Sequence, residues 1–565
     1  MPPGVEKISP YSFCGCKQLT SITLPQTLAF IGNAAFYGCS SLESLKLPET
    51  VKVIGPSAFY GCNSLTSVTL PNGVTTLGPS AFYCCGALTS LTLPSSLTSI
   101  GSGAFYLCVN LTSVALPETL LRVGSDSFRG CRGLTSLKFP SGVSTIEASV
   151  CYCCIGLTSI TLPENLTAID NNAFCRCTGL KSITLPKTLK RIGADAFRGC
   201  IGLSSLRLPN SLNAVGGHVF YDCAGIKSLI LPDKITQVSP HMFRHCTGLT
   251  SLILPQTVTA VHCHGFQGCS AITSITLTNT LLRVIDTAAF HYCRGITCIV
   301  FPKTLTKIGT AAFFGCEGLT CVKLPPSLTS LGCSAFDSCT KLSAVALPDS
   351  VTEIGSGSFR GCSGLTSLSL PSTLSSLDSN VFSGCSHLTS LALPKMLTKL
   401  GSQAFAECSG LTSLSFPRSL THVGNSAFCD CGGLTSLTLP RSVRSVGEHA
   451  FFNCTGLTSL SLPYTLTAGQ NAFRDCTALS SVSFCTRVPV DFIAWSVANS
   501  RNRTNWQITT LKHLRNVLRL ITELSVERRH VRSLDPGGLR GVFRGCYNMF
   551  RAGVLVHGNG YYECD

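Results

Sequence analysis

Charge is scarce in this chain of 565 residues: Asp, Glu, Lys and Arg make up 12%, against 44% hydrophobic residues. A share about half that of an ordinary globular protein excludes a charge-rich disordered chain, which cannot bury enough apolar surface. Long apolar runs are missing as well. Ser, Thr, Gly or Pro breaks each run well before the roughly eighteen residues a membrane-crossing helix needs, so no transmembrane segment is expected. Met1 to Lys7 contain no apolar stretch of the kind a secretion signal carries. Enzymatic signatures are also lacking. There is no GxxxxGK, GxGxxG, HExxH or GxSxG, and the acidic residues are too scattered to pair. Neither catalysis nor a cofactor is expected.

Acidic residues are outnumbered, 27 against 43 Lys and Arg, for a net charge of +16. The excess is densest after Thr486, yet no block of like charge forms. With no recognised module, specific nucleic-acid binding is not expected.

What is abundant is repetition. Pro recurs at 2, 25, 48, 71, 94, 117, 140, 163, 186, 209, 232 and 255, then from 302 to 463, every 23 residues. Thr278 takes the intervening place, with one residue inserted after it, and Cys485 closes the series one residue early. A large ring follows each register position, Phe in 20 of 21 units with Cys151 the exception. Cys stands three residues later in all 21, from Cys16 to Cys476.

The unit Leu88 to Asn110, LTSLTLPSSLTSIGSGAFYLCVN, shows how one coil is built. Leu91 and Leu93 alternate inward with Ser90 and Thr92 outward, as in a short strand. Pro94 lacks an N–H and ends the ladder. Leu97 and Ile100 turn inward again, Gly101 suits a tight bend, and Phe105 and Cys108 fill the core. One such coil cannot bury its apolar face alone, so the coils must stack.

The pattern LTSITLPxxLxxIGxxAFxGC, running from Met1 to Cys485, resembles the BspA-like leucine-rich-repeat family of surface-antigen type. The resemblance implies a repeat solenoid, curved and right-handed, with a parallel β-sheet on its concave face. It also implies adhesion or protein–protein binding, with no catalytic residue to carry over, and frequent display at the cell surface. Residue 1 already stands in mid-pattern, so the expectation is a truncated or externally covered end, with end-to-end self-association as one outcome. Asn110, Asn165, Asn453 and Asn502 are sequons that matter only in a secreted chain.

Residues 486–565 leave the pattern. Leu511, Leu514, Val517, Leu518, Ile521 and Leu524 fall at helical spacing behind Trp495 and Trp506. A small helical C-terminal cap is expected there, with a basic amphipathic helix for a membrane surface or a partner as the alternative.

In a stack, residues 23 apart become neighbours, so chemistry is sought down columns. The Cys column reads as small buried filler rather than a disulfide framework. The strand's outward face is Ser in 18 of 21 units at one position. At the other position stand Thr, Lys46, Arg207, Ile230, Ile253 and Lys323, with no acidic residue. That face reads as a docking plane for a protein or matrix partner, the alternative being a spacer without a ligand. After the ring come Tyr37, Tyr60, Tyr83 and Tyr106, then Arg129, the residue types of binding hot spots or of a stacking platform. His218, His241 and His264 share one column two residues before the ring. Two of these imidazoles with water could hold Zn²⁺ or Cu²⁺ weakly, against the plainer reading of a polar solvent-side column.

Overall fold

A computed structural model describes residues 1–463 and 466–485. The expected helical cap over 486–565 lies outside the described residues. The chain divides into two compact units, Met1–Leu319 and Thr320–Asp565.

Unit 1 is a stack of coils joined by parallel strand ladders. Three-residue strands such as Ser67–Thr69 and Ser90–Thr92 pair in register, Val68 beside Leu91. Their outward–inward–outward burial follows from the alternation of Ser, Leu and Thr. A second ladder is built from two-residue strands, among them Lys7–Ile8, Phe30–Ile31 and Val53–Ile54. The partners are 23 residues apart, as the Pro register requires. At Ala260–Val261 and Val284–Ile285 the offset becomes 24, so the inserted residue lies in the loop between them. Leu281 is pushed into solvent there, while the buried Thr280 hydroxyl donates to the Leu277 carbonyl at 2.7 Å.

Unit 2 repeats the plan. Ser390–Ala392 pairs with Ser413–Ser415, and Ser376–Leu377, Lys399–Leu400, His422–Val423 and Ser445–Val446 form its second ladder.

A third side of each coil is all turn, yet equally well bonded. In the coil of Phe82, alternate N–H groups donate within the coil and to the next one. Ala81, Tyr83 and Cys85 reach Gly78, Ser80 and Phe82, whereas Ser80, Phe82 and Cys84 reach Ser102, Ala104 and Tyr106 at 2.7–2.9 Å. This alternation requires left-handed backbone at two positions per coil, here Ser80 and Cys84, φ 56 and 59°. Gly103, φ +63°, fills the first of these positions in the next coil, where no Cβ penalty arises. Gly101, by contrast, is not a bend residue. A Cβ there would lie 2.5 Å from the Pro79 nitrogen, so its place is set by close approach of the coil beneath.

The Phe rings of unit 1 form the core, stacked with centroids 5.0–5.9 Å apart from Phe13 to Phe128 and from Phe174 to Phe313. Cys151 interrupts the stack. In the same coil Phe139 occupies a place held elsewhere by Leu and is fully buried. The corresponding Phe301 packs edge-on against Phe313 of its coil at 5.7 Å, and the same register sets Phe139 beside Cys151.

The Cys column of unit 1 is buried and unoxidised from Cys39 through Cys316. Each thiol also has a hydrogen-bonding task. Cys269 Sγ donates to the Phe243 carbonyl at 2.9 Å and Cys62 Sγ to that of Phe36 at 3.3 Å, stitching each coil to its predecessor. Ala would fill the space without donating.

Candidate interaction face

The abundant Ser and Thr divide into two groups with different tasks. Threonines just before the strand turn their hydroxyls back to the preceding coil: Thr89 Oγ1 to the Thr66 carbonyl at 3.1 Å, Thr158 to Thr135 at 3.0 Å. Thr98 and Thr167 do the same on the second ladder, at 3.0 and 3.1 Å. The strand residues proper, such as Ser67 and Thr69 or Ser205 and Arg207, are exposed in register and form the outward sheet face.

The structure places Lys46, Lys138 and Arg207 on that face in unit 1, and Lys323 on the corresponding face in unit 2, all exposed. Lys138 is held by Glu118 at 3.0 Å. The face is not uniformly hydroxylic: Ile230 and Ile253 stand side by side on it.

Tyr37, Tyr60, Tyr83 and Tyr106 do come together. Their rings stack at 4.5, 4.5 and 4.3 Å within 11° of parallel. Arg129 continues the ladder over Tyr106 and Tyr152, 5.4 and 4.3 Å from the ring centroids, while pairing with Asp126 at 3.1 Å. Stacking covers both faces of the inner rings, so the ladder offers solvent its hydroxyl edges. Burial and hydrogen bonding with Tyr106 push the Tyr83 phenol up to about 12.

His218, His241 and His264 also stack, at 4.3 and 4.6 Å and nearly parallel. Parallel rings point their nitrogen lone pairs side by side rather than at one point. Among the described residues no group of three or more His, Cys, Asp or Glu surrounds a metal position. Instead Arg244 approaches His241 Nδ1 at 3.4 Å, and His264 Nδ1 is hydrogen-bonded to Gln267 at 2.7 Å. Partial burial, then the neighbouring His218 and His264, bring the His241 imidazole down to about 4. The column has a backbone origin the residue types hinted at. His218, His241 and His264 are all left-handed, φ 55–57°, as are Ser57, Asn172, Asp195 and Gln403 in other coils.

Sequence reasoning missed a shallow groove of about 620 Å³ on the turn side of unit 1. Arg132 and Arg176 line it with exposed Ile155 and Ile201, and Asp222 and His245 pair within it at 3.4 Å. Its signal was the second left-handed column, where Cys153, Arg176, Asp222 and His245 replace the Gly of other coils.

Stacked coils with one short strand each on the outward sheet define a leucine-rich-repeat solenoid. The model of the BspA type leucine rich repeat region matches residues 1–111, 98–223, 168–297, 283–412 and 376–494, so the chain belongs to that family. Among solved structures it is similar to a leucine-rich repeat protein from Bacteroides ovatus, at 30% identity over 64% of this chain and 82% of that one, TM-score 0.48. It is also similar to a leucine rich cell surface protein from Faecalibacterium prausnitzii, at 20% identity over 80% and 87% of the two chains, TM-score 0.25. A third similarity is to a leucine rich repeat protein of T. pallidum, at 27% identity over 37% and 78%, TM-score 0.24. No curated protein matches the chain. Repeat proteins of this class act in protein–protein interaction or in structural roles and are typically not enzymes. Among the described residues no helix is long and apolar enough to cross a membrane.

Proposed function

We propose that the protein is a binding module that recognises a protein or extracellular-matrix partner through the outward sheet face, with the Tyr/Arg ladder as its rim. The observation that carries this reading is the face itself. In strand after strand, from Ser67–Thr69 to Ser251–Ile253, both flanking side chains point outward and none is acidic. Such a plane combines hydroxyls, cations and a few apolar groups without a carboxylate, so it presents hydrogen-bonding groups and positive charge for a complementary partner surface.

The test is capture by immobilised full-length protein from cell and matrix extracts, with partners identified by mass spectrometry. Lys46→Thr, Arg207→Thr and Lys323→Thr together install the Thr that other coils carry at this position, such as Thr69 and Thr184, and are expected to weaken specific capture by about tenfold or more. Undiminished capture would remove the face from the account. No capture at all would favour a spacer role.

A further inference from the structure

The outward column of unit 1 changes character over a few coils. Thr184 is followed by Arg207, Ile230 and Ile253 before Thr returns at 276. Pairing in register puts Ile230 directly beside Ile253, and the two are 64% and 60% exposed. The strands lie about 4.8 Å apart, so the two side chains make one contiguous apolar patch. Core packing does not account for it: the inward residues Leu229 and Leu252 of the same strands supply the buried contacts. Exposed apolar groups gathered in one place mark an interaction site more often than scattered ones do.

Around the patch the charge is mainly positive, although Asp233 is exposed three residues beyond Ile230. Arg207 is exposed on the neighbouring strand, paired in register with Thr184. Lys181 and Lys227 stand exposed at the edge of the face, just before their strands, the Lys227 ammonium reaching toward Gly248. Among the described residues none of the three forms an ion pair. The strands Ser182–Thr184, Ser205–Arg207, Ser228–Ile230 and Ser251–Ile253 carry no carboxylate.

Resting on the reading of the sheet face as the binding surface, we infer that the stretch from Lys181 to Ile253 docks an acidic, aliphatic segment of a partner protein. Aliphatic side chains cover Ile230 and Ile253, and carboxylates meet Arg207, Lys181 and Lys227. A nucleic acid or a sulfated polysaccharide would satisfy the cations but leave the isoleucines in water, where the apolar surface contributes nothing. The protein segment uses both.

The probe is a fluorescent peptide of alternating Glu and Leu, titrated with the full-length protein at low salt and read by anisotropy. Lys/Leu and Glu/Ser peptides of the same length serve as controls. The Glu/Leu peptide should bind at least about tenfold more tightly than either control. Ile230→Thr with Ile253→Thr, and separately Arg207→Thr, should each weaken it by about tenfold. These substitutions install the residue of neighbouring coils, and circular dichroism verifies that the fold is kept. Failure of the Glu/Leu peptide to bind, or binding by either variant as tight as by the unsubstituted protein, overturns the inference. So does retention of heparin or single-stranded DNA that the Ile variants leave unchanged and that displaces the peptide. Binding lost with Lys46→Thr but not with the local variants overturns this stretch while leaving the sheet face in place. Insensitivity to every face substitution overturns both.

Discussion

Raising reduced protein from about pH 8 to about pH 10.5 should unfold it, well before backbone chemistry intervenes. The cause is the Cys column. Burial pushes the thiols of Cys316 and Cys362 from an ordinary value of 9.0 up to about 12. It raises those of Cys85, Cys108 and Cys200 well above that ordinary value, with the neighbouring column thiols adding to the effect. A native value above the unfolded one means that the folded chain keeps protons the unfolded chain releases. The stability this represents is fully present below about pH 9 and is lost as pH climbs toward the native values. Each buried thiol contributes a slope of about 1.4 kcal/mol per pH unit in that window, and the column multiplies it. Denaturant unfolding across the range, with reductant present, gives the slope. Cys200→Ala with Cys223→Ala should flatten it by about 1.4 kcal/mol per pH unit for each residue removed. A slope indifferent to those substitutions would mean that the column thiols are not protonated fillers.

The second large effect belongs to the ring stack. Phe243 is fully buried between Phe220 at 5.5 Å and Phe266 at 5.3 Å. Phe243→Ala removes a ring that two neighbours touch, at an expected cost of about 3–5 kcal/mol. Coils of a stack interact with their nearest neighbours, so the loss should be local. Hydrogen exchange should rise around Phe220, Phe243 and Phe266 while the coils of Phe36 and Phe59 stay protected. A uniform rise along unit 1 would contradict nearest-neighbour coupling.

The register was legible from Pro alone, because a residue without an N–H can stand only where the ladder ends. Phe105 and Cys108 were legible as core because identical spacing in every coil leaves an apolar stack as the economical arrangement. Other features depended on neighbours that a linear reading does not supply. Gly101 looks like a bend residue in one coil, and only the backbone of the coil beneath shows that a Cβ has no room. The thiol donors and the Thr89 hydroxyl reach carbonyls 23 to 26 residues back, a distance at which single-coil reasoning sees no partner. The Tyr column was read correctly as a column, but the stacking that occupies its ring faces appears only with the coil spacing. His218, His241 and His264 were drawn together by the register, whereas their shared left-handed backbone fixed how they face one another. Ile230 and Ile253 were visible as interruptions of a hydroxyl array. Their exposure and pairing turned them into a candidate surface.

Recognition is proposed for the outward sheet face and not for the turn side of the coil. Hydroxyl-radical footprinting of full-length protein, alone and bound to a captured partner, tests it most directly, because both sides carry exposed isoleucines in unit 1. Oxidation of Ile230 and Ile253 should fall on binding while Ile155 and Ile201 in the turn-side groove react as before. Protection confined to Ile155 and Ile201, with Ile230 and Ile253 unchanged, would contradict it.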